Sequence, residues 1–143
     1  MKLTQISVFL ENRPGRLSAL AHSLATAGVN LSTLMLSDNG EFGLLRLLTP
    51  DVEKAQATIA AAGYASTTTE VVALEVPDRP GGLATVLAAV EKAGVSVEYM
   101  YAFAERPGKE AIMIFRFDDM DKALHALRTA GIGICQAVKL FER

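Results

Sequence analysis

The chain has no tryptophan and one cysteine, and it lacks both a basic run and a long apolar run. Each absence excludes something. Without clustered Lys and Arg, and with a formal charge of −2, phosphate neutralisation is poorly served, so nucleic acid is not an expected partner. No stretch reaches the roughly 18 apolar residues of a membrane span, so no membrane partner is expected. The lone thiol, Cys135, has no internal disulfide partner and no Cys or His neighbour at metal-ligand spacing. It is expected to pack as a small apolar side chain. The opening Met1-Lys2-Leu3-Thr4-Gln5 is not followed by the apolar segment and small-residue site of a secretory signal. A cytoplasmic location is the expectation. What is present is globular composition, half apolar and about a fifth charged.

The chain also repeats itself. Glu11-Asn12-Arg13-Pro14-Gly15-Arg16-Leu17 matches Pro77-Asp78-Arg79-Pro80-Gly81-Gly82-Leu83 at an offset of 66 (Arg13 to Arg79). Ala27-Gly28-Val29 falls on Ala93-Gly94-Val95 at the same offset. Leu45-Arg46-Leu47 matches Phe115-Arg116-Phe117 at 70 (Arg46 to Arg116), and Asp51-Val52-Glu53-Lys54-Ala55 matches Asp119-Met120-Asp121-Lys122-Ala123 at 68. The change of offset is placed at the turn Asp38 to Glu41, longer in the second copy as Glu105 to Glu110, since insertions belong in surface turns. The period is too long for a solenoid unit. Each copy is therefore read as a small domain, 1–69 and 70–143.

Within each copy the periodicity gives strand, helix, strand, strand, helix, strand. Ile6, Val8 and Leu10 alternate with Gln5, Ser7 and Phe9 as in a strand with one buried face, Phe9 being an apolar exception on the outer face. Pro14 suits the first turn of a helix, whose stripe is Leu17, Leu20, Ala21 and Leu24 and whose end is Gly28. Val29 to Ser37 reads as a strand. Asp38-Asn39-Gly40-Glu41 is a hairpin signal with Asn-Gly at the two central positions, and Phe42 to Leu48 returns. Thr49-Pro50-Asp51 opens a helix striped by Val52, Ala55, Ile59 and Ala62 and stopped by Gly63. In the second copy Val72, Leu74 and Val76 line a strand face, and Leu83, Val86, Leu87 and Val90 stripe a helix. Strands over about 95–104 and 110–117 follow. The last helix carries Met120, Ala123, Leu124 and Leu127, with Asp118 as its expected cap, and Ile132 to Phe141 closes the unit.

This order is the split βαβ pattern of ferredoxin-like folds. The expected architecture is α+β: two tandem four-stranded antiparallel sheets, each with two helices on one face. Tyr64 to Val76 contains no Gly or Pro, so the last strand of copy one is expected to run almost directly into the first strand of copy two, joining the sheets. A domain of this size has a marginal core and exposed sheet edges, and a homodimer is expected to cover them.

A strand ending in Asn-Arg-Pro-Gly-Arg-Leu, an amphipathic helix, and Gly-Val-Asn-Leu entering the next strand resembles an ACT domain, and the resemblance covers both copies. ACT domains are small regulatory modules that sense amino acids. The resemblance implies a stand-alone tandem protein that binds an amino acid between neighbouring modules, near the loops entering the first helices, and acts through a partner enzyme or its own oligomer. Carried over by position, Asn12 is the polar residue before Pro-Gly and Asn30 the Asn after Gly-Val. Asp78 and Ser96 stand at these positions in copy two, and the shorter Ser96 puts equal binding there in doubt. The candidate ligand-binding set is Asn12, Arg13, Pro14, Gly15, Asn30, Leu31, Asp78, Arg79, Gly81 and Ser96.

The residues support that location chemically. A helix N-terminus offers N–H groups and a positive dipole end to a carboxylate. An Asn amide both donates and accepts, as a zwitterion requires. The plainer readings stand beside it: Asn12 and Asp78 as turn residues bonded to their own backbone, Gly15 and Gly81 as turn glycines, Arg13 and Arg79 as solvated surface arginines. Arg46 and Arg116 either point outward from the sheet or pair across an interface. His22 and His125 have no counterpart in the other copy and read as surface histidines. Tyr99, Met100, Tyr101 and Phe103 read as core or interface.

Competing functions are a non-sensing interaction subunit of a metabolic enzyme and an enzyme on the same scaffold. Against the enzyme, no nucleophile–base pair, metal-ligand cluster or standard phosphate loop is found. No catalytic residues, metal or cofactor are expected.

Overall fold

The computed structural model of the protein describes residues 2–104 and 110–141. The chain divides into two compact units. One is Thr4–Thr69; the other runs from Glu70 onward and includes Lys2 and Leu3. The boundary falls inside a single strand.

The first unit is built from β1 (Leu3–Glu11), α1 (Arg16–Thr26), β2 (Thr33–Asn39), β3 (Phe42–Leu48), α2 (Val52–Ala61) and the opening residues of β4 (Ser66–Pro77). Its antiparallel sheet runs β2-β3-β1, and Phe9 N–H reaches across to the Ala65 carbonyl at 3.0 Å just before β4. Ile6, Val8 and Leu10 lie on one face with Leu45 and Leu47, under Leu20 and Leu24 of α1 and Ala55 and Ile59 of α2. Each large side chain of this kind contributes about 1.5–3 kcal/mol when fully buried. Val29, placed in a strand from sequence, sits in the loop after α1. It still joins the core, and its N–H bonds the Leu24 carbonyl at 2.9 Å.

The second unit repeats the order with the rest of β4, α3 (Gly82–Lys92), β5 (Val97–Ala104), β6 (Glu110–Phe117), α4 (Met120–Thr129) and β7 (Ile134–Cys135), followed by a short α5 (Ala137–Phe141). β6 lies between β5 and β4, and β7 pairs with β4. Val72, Leu74, Val76, Val86 and Val90 pack with Phe115, Phe117 and the α4 stripe of Met120, Ala123, Leu124 and Leu127. Phe115 and Phe117 stack with ring centres 5.4 Å apart. Tyr101 and Cys135 are buried, as core side chains. These are two ferredoxin-like βαββαβ modules of α+β class.

Several local expectations are corrected. The closing segment is a two-residue strand and a helical turn, not a strand to Phe141. Glu75 N–H takes the Gly133 carbonyl at 3.0 Å before the pairing of Leu74 with Ile134 begins. The cap of α4 is Asp119, whose carboxylate accepts from Lys122 N–H at 3.0 Å; Asp118 instead accepts from Ser96 N–H at 2.9 Å. The β2–β3 loop is Gly40-Glu41, because Asn39 still pairs with Phe42, and Gly40 takes the positive φ of 73° at the first loop position. Its counterpart at 105–109 lies outside the described residues. Leu17 and Ala21 are exposed, so the buried stripe of α1 narrows to Leu20 and Leu24. Gln5 and Ser7, placed on the outer face, are buried; Gln5 Nε2 donates to Ser7 Oγ at 3.1 Å, as buried polar groups require a partner.

Candidate functional site

The strand-to-helix turn is the same in both modules. Arg16 N–H bonds the Arg13 carbonyl at 3.3 Å, and Gly82 N–H bonds the Arg79 carbonyl at 3.0 Å. Pro14 and Pro80 hold the second position of these turns, and Gly15 (φ 86°, ψ −12°) and Gly81 (φ 86°, ψ −7°) hold the third. That is a type II turn, which fixes Pro before Gly and demands positive φ at the glycine. Pro14 therefore lies in the turn ahead of α1, not in its first helical turn. Gly15 and Gly81 are the N-caps of α1 and α3, and neither helix has a side-chain cap. In contrast, α2 and α4 are capped by Asp51 and Asp119. The first helix of each module thus has no side-chain hydrogen bond capping its positive end, where an anion is stabilised.

In the first module this turn meets the β2–β3 hairpin. Asn12 N–H bonds the Glu41 carbonyl at 2.8 Å, and Asn12 Nδ2 donates to the Gly40 carbonyl at 3.1 Å. Asn12 is therefore a latch between loop and hairpin. An open cavity of about 300 Å³ forms here, lined by Glu11, Asn12, Arg13, Glu41 and Phe42. Arg13 pairs with Glu11, and Arg16 Nη2 lies 3.7 Å from the same carboxylate. The hydrogen bond from Arg13, and then its charge and that of Arg16, hold the Glu11 carboxyl below its ordinary range. Phe42 is 52% exposed and Phe9 48%. Tyr64 Oη donates to the Arg16 carbonyl at 3.4 Å and holds the first turn of α1 from the other side.

The remaining candidates are distributed differently. Asn30 is exposed in the loop after α1, and Leu31 is half-buried against the core. An eleven-residue helix is about 16 Å long, so Asn12 and Asn30 sit at opposite ends of α1. Asp78, Arg79 and Gly81 are exposed at the start of α3, while Ser96 lies beyond its end, in a cavity of ≈ 440 Å³ with Leu87, Val90, Glu91 and Val97. His22 and His125 are both exposed.

Glu41 and Phe42 join the site although they lie outside the loop motif. The signal for them was the hairpin: once Asn12 is bonded to it, the residues just past its turn must face the loop. Arg46 and Arg116 also need correction. Ile6 pairs with Leu47 and Val72 with Phe115, so β1 maps on β4 at 66 (Ile6 to Val72) and β3 maps on β6 at 68 (Leu47 to Phe115). The two arginines are two residues out of register. They are not copies of one another. Arg116 pairs with Glu98 at 3.2 Å and donates to the Glu70 carbonyl at 2.9 Å. Arg46 donates to Ser37 Oγ at 3.4 Å.

Among the described residues no group of three or more His, Cys, Asp or Glu could hold a metal ion. No described helix is long and apolar enough to cross a membrane. Comparison with curated proteins gives no match. Among solved structures, a Bacteroides thetaiotaomicron protein superposes at a TM-score of 0.93 with 36% identity, over 100% of this chain and 98% of that one. The regulatory subunit of aspartate kinase from Thermus thermophilus, in its ligand-free form, shares the fold at a TM-score of 0.63 and 16% identity, over 89% of this chain and 91% of that one. The profile of the ACT domain pair matches residues 1–136. With two βαββαβ modules, each entering its first helix through the same Pro-Gly turn, the chain belongs to the ACT domain pair family.

Proposed function

We propose that this protein is an amino-acid-binding regulatory protein and that the loops entering α1 and α3 are where its modules meet ligand. An ACT domain pair is a regulatory module, and membership supports an amino-acid-sensing role in general. The observation that carries the finer reading is the selective absence of a side-chain cap on α1 and α3, against Asp caps on α2 and α4. A carboxylate meets the N–H groups and dipole of such a helix end. The candidate contacts are Asn12, Arg13, Pro14 and Gly15 with Asn30 and Leu31, and in the second module Asp78, Arg79 and Gly81 with Ser96.

Because Asn12 and Asn30 flank opposite ends of α1, one small ligand cannot touch both in the same module. A site using both kinds of residue draws the second from another module, which we assign to a second copy of the chain. Leu34 (45% exposed) and Leu36 (48%) on the edge strand β2 give such a copy an apolar border to cover. The regulatory step follows from linkage: a ligand that binds one packing of the modules better than another shifts their population, and with it a partner enzyme or the oligomer.

The test is calorimetric titration with single amino acids on the native chain, Asn12→Ala and Asn30→Ala. The expected result is micromolar binding of one amino acid, weakened at least tenfold (about 1.4 kcal/mol) by either substitution with the melting temperature little changed. Binding that ignores both substitutions moves the site elsewhere. Absence of binding, with a stable protein partner recovered instead, favours a non-sensing interaction subunit.

A further inference from the structure

Matched by strand pairing, the two modules carry different side chains around the loop that enters the first helix. The offsets of 66 and 68 place Phe9 on Glu75, Phe42 on Glu110, Glu11 on Pro77 and Arg16 on Gly82. In the first module Glu11 pairs directly with Phe42, and Phe9 is the diagonal neighbour on the same face of the sheet, within reach of an aromatic ring. Both rings are thus about half exposed, and Phe42 lines the ≈ 300 Å³ cavity. Leaving such rings in water forfeits burial energy that a ligand side chain could recover.

The described residues at the matching positions of the second module differ. Carboxylates replace both rings. A Cβ at Gly82 would lie 2.0 Å from the Pro77 carbonyl oxygen, so the backbone at the end of β4 leaves no room for a side chain there. Arg16, at the same position in the first module, carries a full side chain instead.

We propose that the first module's loop alone takes a ligand, and that it selects an amino acid with an uncharged, apolar side chain. This rests on the amino-acid reading above and narrows it. The charges around the cavity balance: Glu11 and Glu41 against Arg13 and Arg16. A zwitterion satisfies such a set, its ammonium toward Glu41 and its carboxylate toward Arg13 and the N-terminus of α1. A further charge on the ligand would be unmatched, and its side chain would lie against Phe42, where a ring favours apolar contact.

The experiment titrates the full chain with L-phenylalanine, L-leucine, L-lysine and L-glutamate, and repeats the titration on Phe42→Glu, Phe42→Ser and Glu110→Phe, with thermal melts to confirm folding. The expected result is one phenylalanine or leucine per chain, lysine and glutamate at least tenfold weaker, a loss of at least tenfold in both Phe42 variants, and unchanged binding in Glu110→Phe. Two ligands per chain, preference for lysine or glutamate, or indifference of folded Phe42 variants each overturns the inference while leaving amino-acid binding intact. Phe42 variants that dissociate a dimer without changing binding would assign the rings to a second copy and overturn it as well. No binding by any amino acid overturns both readings.

Discussion

Gly15 and Gly82 look alike in the sequence, each a glycine in a Pro-Gly loop, yet they are glycine for different reasons. Gly15 has open space around a would-be Cβ and is required by its φ of 86°. Gly15→Ala is expected to cost about 1–2 kcal/mol, the strain of a left-handed residue, as read by urea denaturation. Gly82 has no positive φ to accommodate, but a Cβ there meets backbone at 2.0 Å. Gly82→Ala is expected to cost more than Gly15→Ala, because the Pro77 carbonyl cannot rotate away as a side chain would; an equal or smaller loss would mean that the loop relaxes freely. The first requirement was legible in the letters Pro-Gly. The second depends on how closely two backbone segments approach, which no local pattern encodes. A third residue-scale case is Lys2, 2.8 Å from Asp121 and 3.5 Å from Glu70. The hydrogen bond to Lys2 holds the Asp121 carboxyl below its usual range, and the same bond holds Lys2 above its own. The contribution is therefore fully present at neutral pH. It fades as pH falls through the lowered aspartate value, below about pH 4, and again as pH rises through the raised lysine value, above about pH 10. Lys2→Met is expected to lower the melting temperature at pH 7, and the gap to the native chain is expected to close as the pH falls through the lowered Asp121 value. Both groups are solvent-exposed, so the shift is small and shrinks in high salt.

At the scale of elements, helices were read more surely than strand registers. The α4 stripe of Met120, Ala123, Leu124 and Leu127 is buried as its spacing implies, because a 3.6-residue period singles out one face. A strand's period is two. Sliding β3 against β6 by two residues leaves every side chain on its proper face, so Leu45-Arg46-Leu47 could be laid on Phe115-Arg116-Phe117 without any visible conflict. Only the pairing of Ile6 with Leu47 and Val72 with Phe115 removes the slip. The cap of α4 was misplaced by one residue at Asp118, although the match of Asp51-Val52-Glu53-Lys54 to Asp119-Met120-Asp121-Lys122 already contained Asp119. Both aspartates accept from the lysine N–H three residues on, at 3.3 and 3.0 Å. Asp51→Ala and Asp119→Ala are each expected to cost about 1 kcal/mol in chemical denaturation, whereas Asp118→Ala removes the bond to Ser96 N–H and leaves the α4 cap intact.

For the whole molecule, the duplication, the module order and the family were all legible, since they rest on repeated motifs spread over the full length. The candidate site was legible only in part. Asn12 and Gly15 belong to the motif, but Glu41 and Phe42 reach the loop through a hairpin contact some thirty residues distant in sequence. That same distance explains why the asymmetry between modules, phenyl rings against carboxylates, is invisible until the strands are paired. Association belongs to this scale too. Leu34→Lys with Leu36→Lys on the edge strand β2 is expected to turn a dimer into a monomer in sedimentation velocity without lowering the monomer's helix content; an unchanged sedimentation coefficient would place the interface elsewhere. The measurement that bears most directly on the account is isothermal titration of the intact native protein with each common amino acid. One of them is expected to bind with micromolar affinity and a defined stoichiometry. Heats indistinguishable from dilution for every amino acid would contradict it.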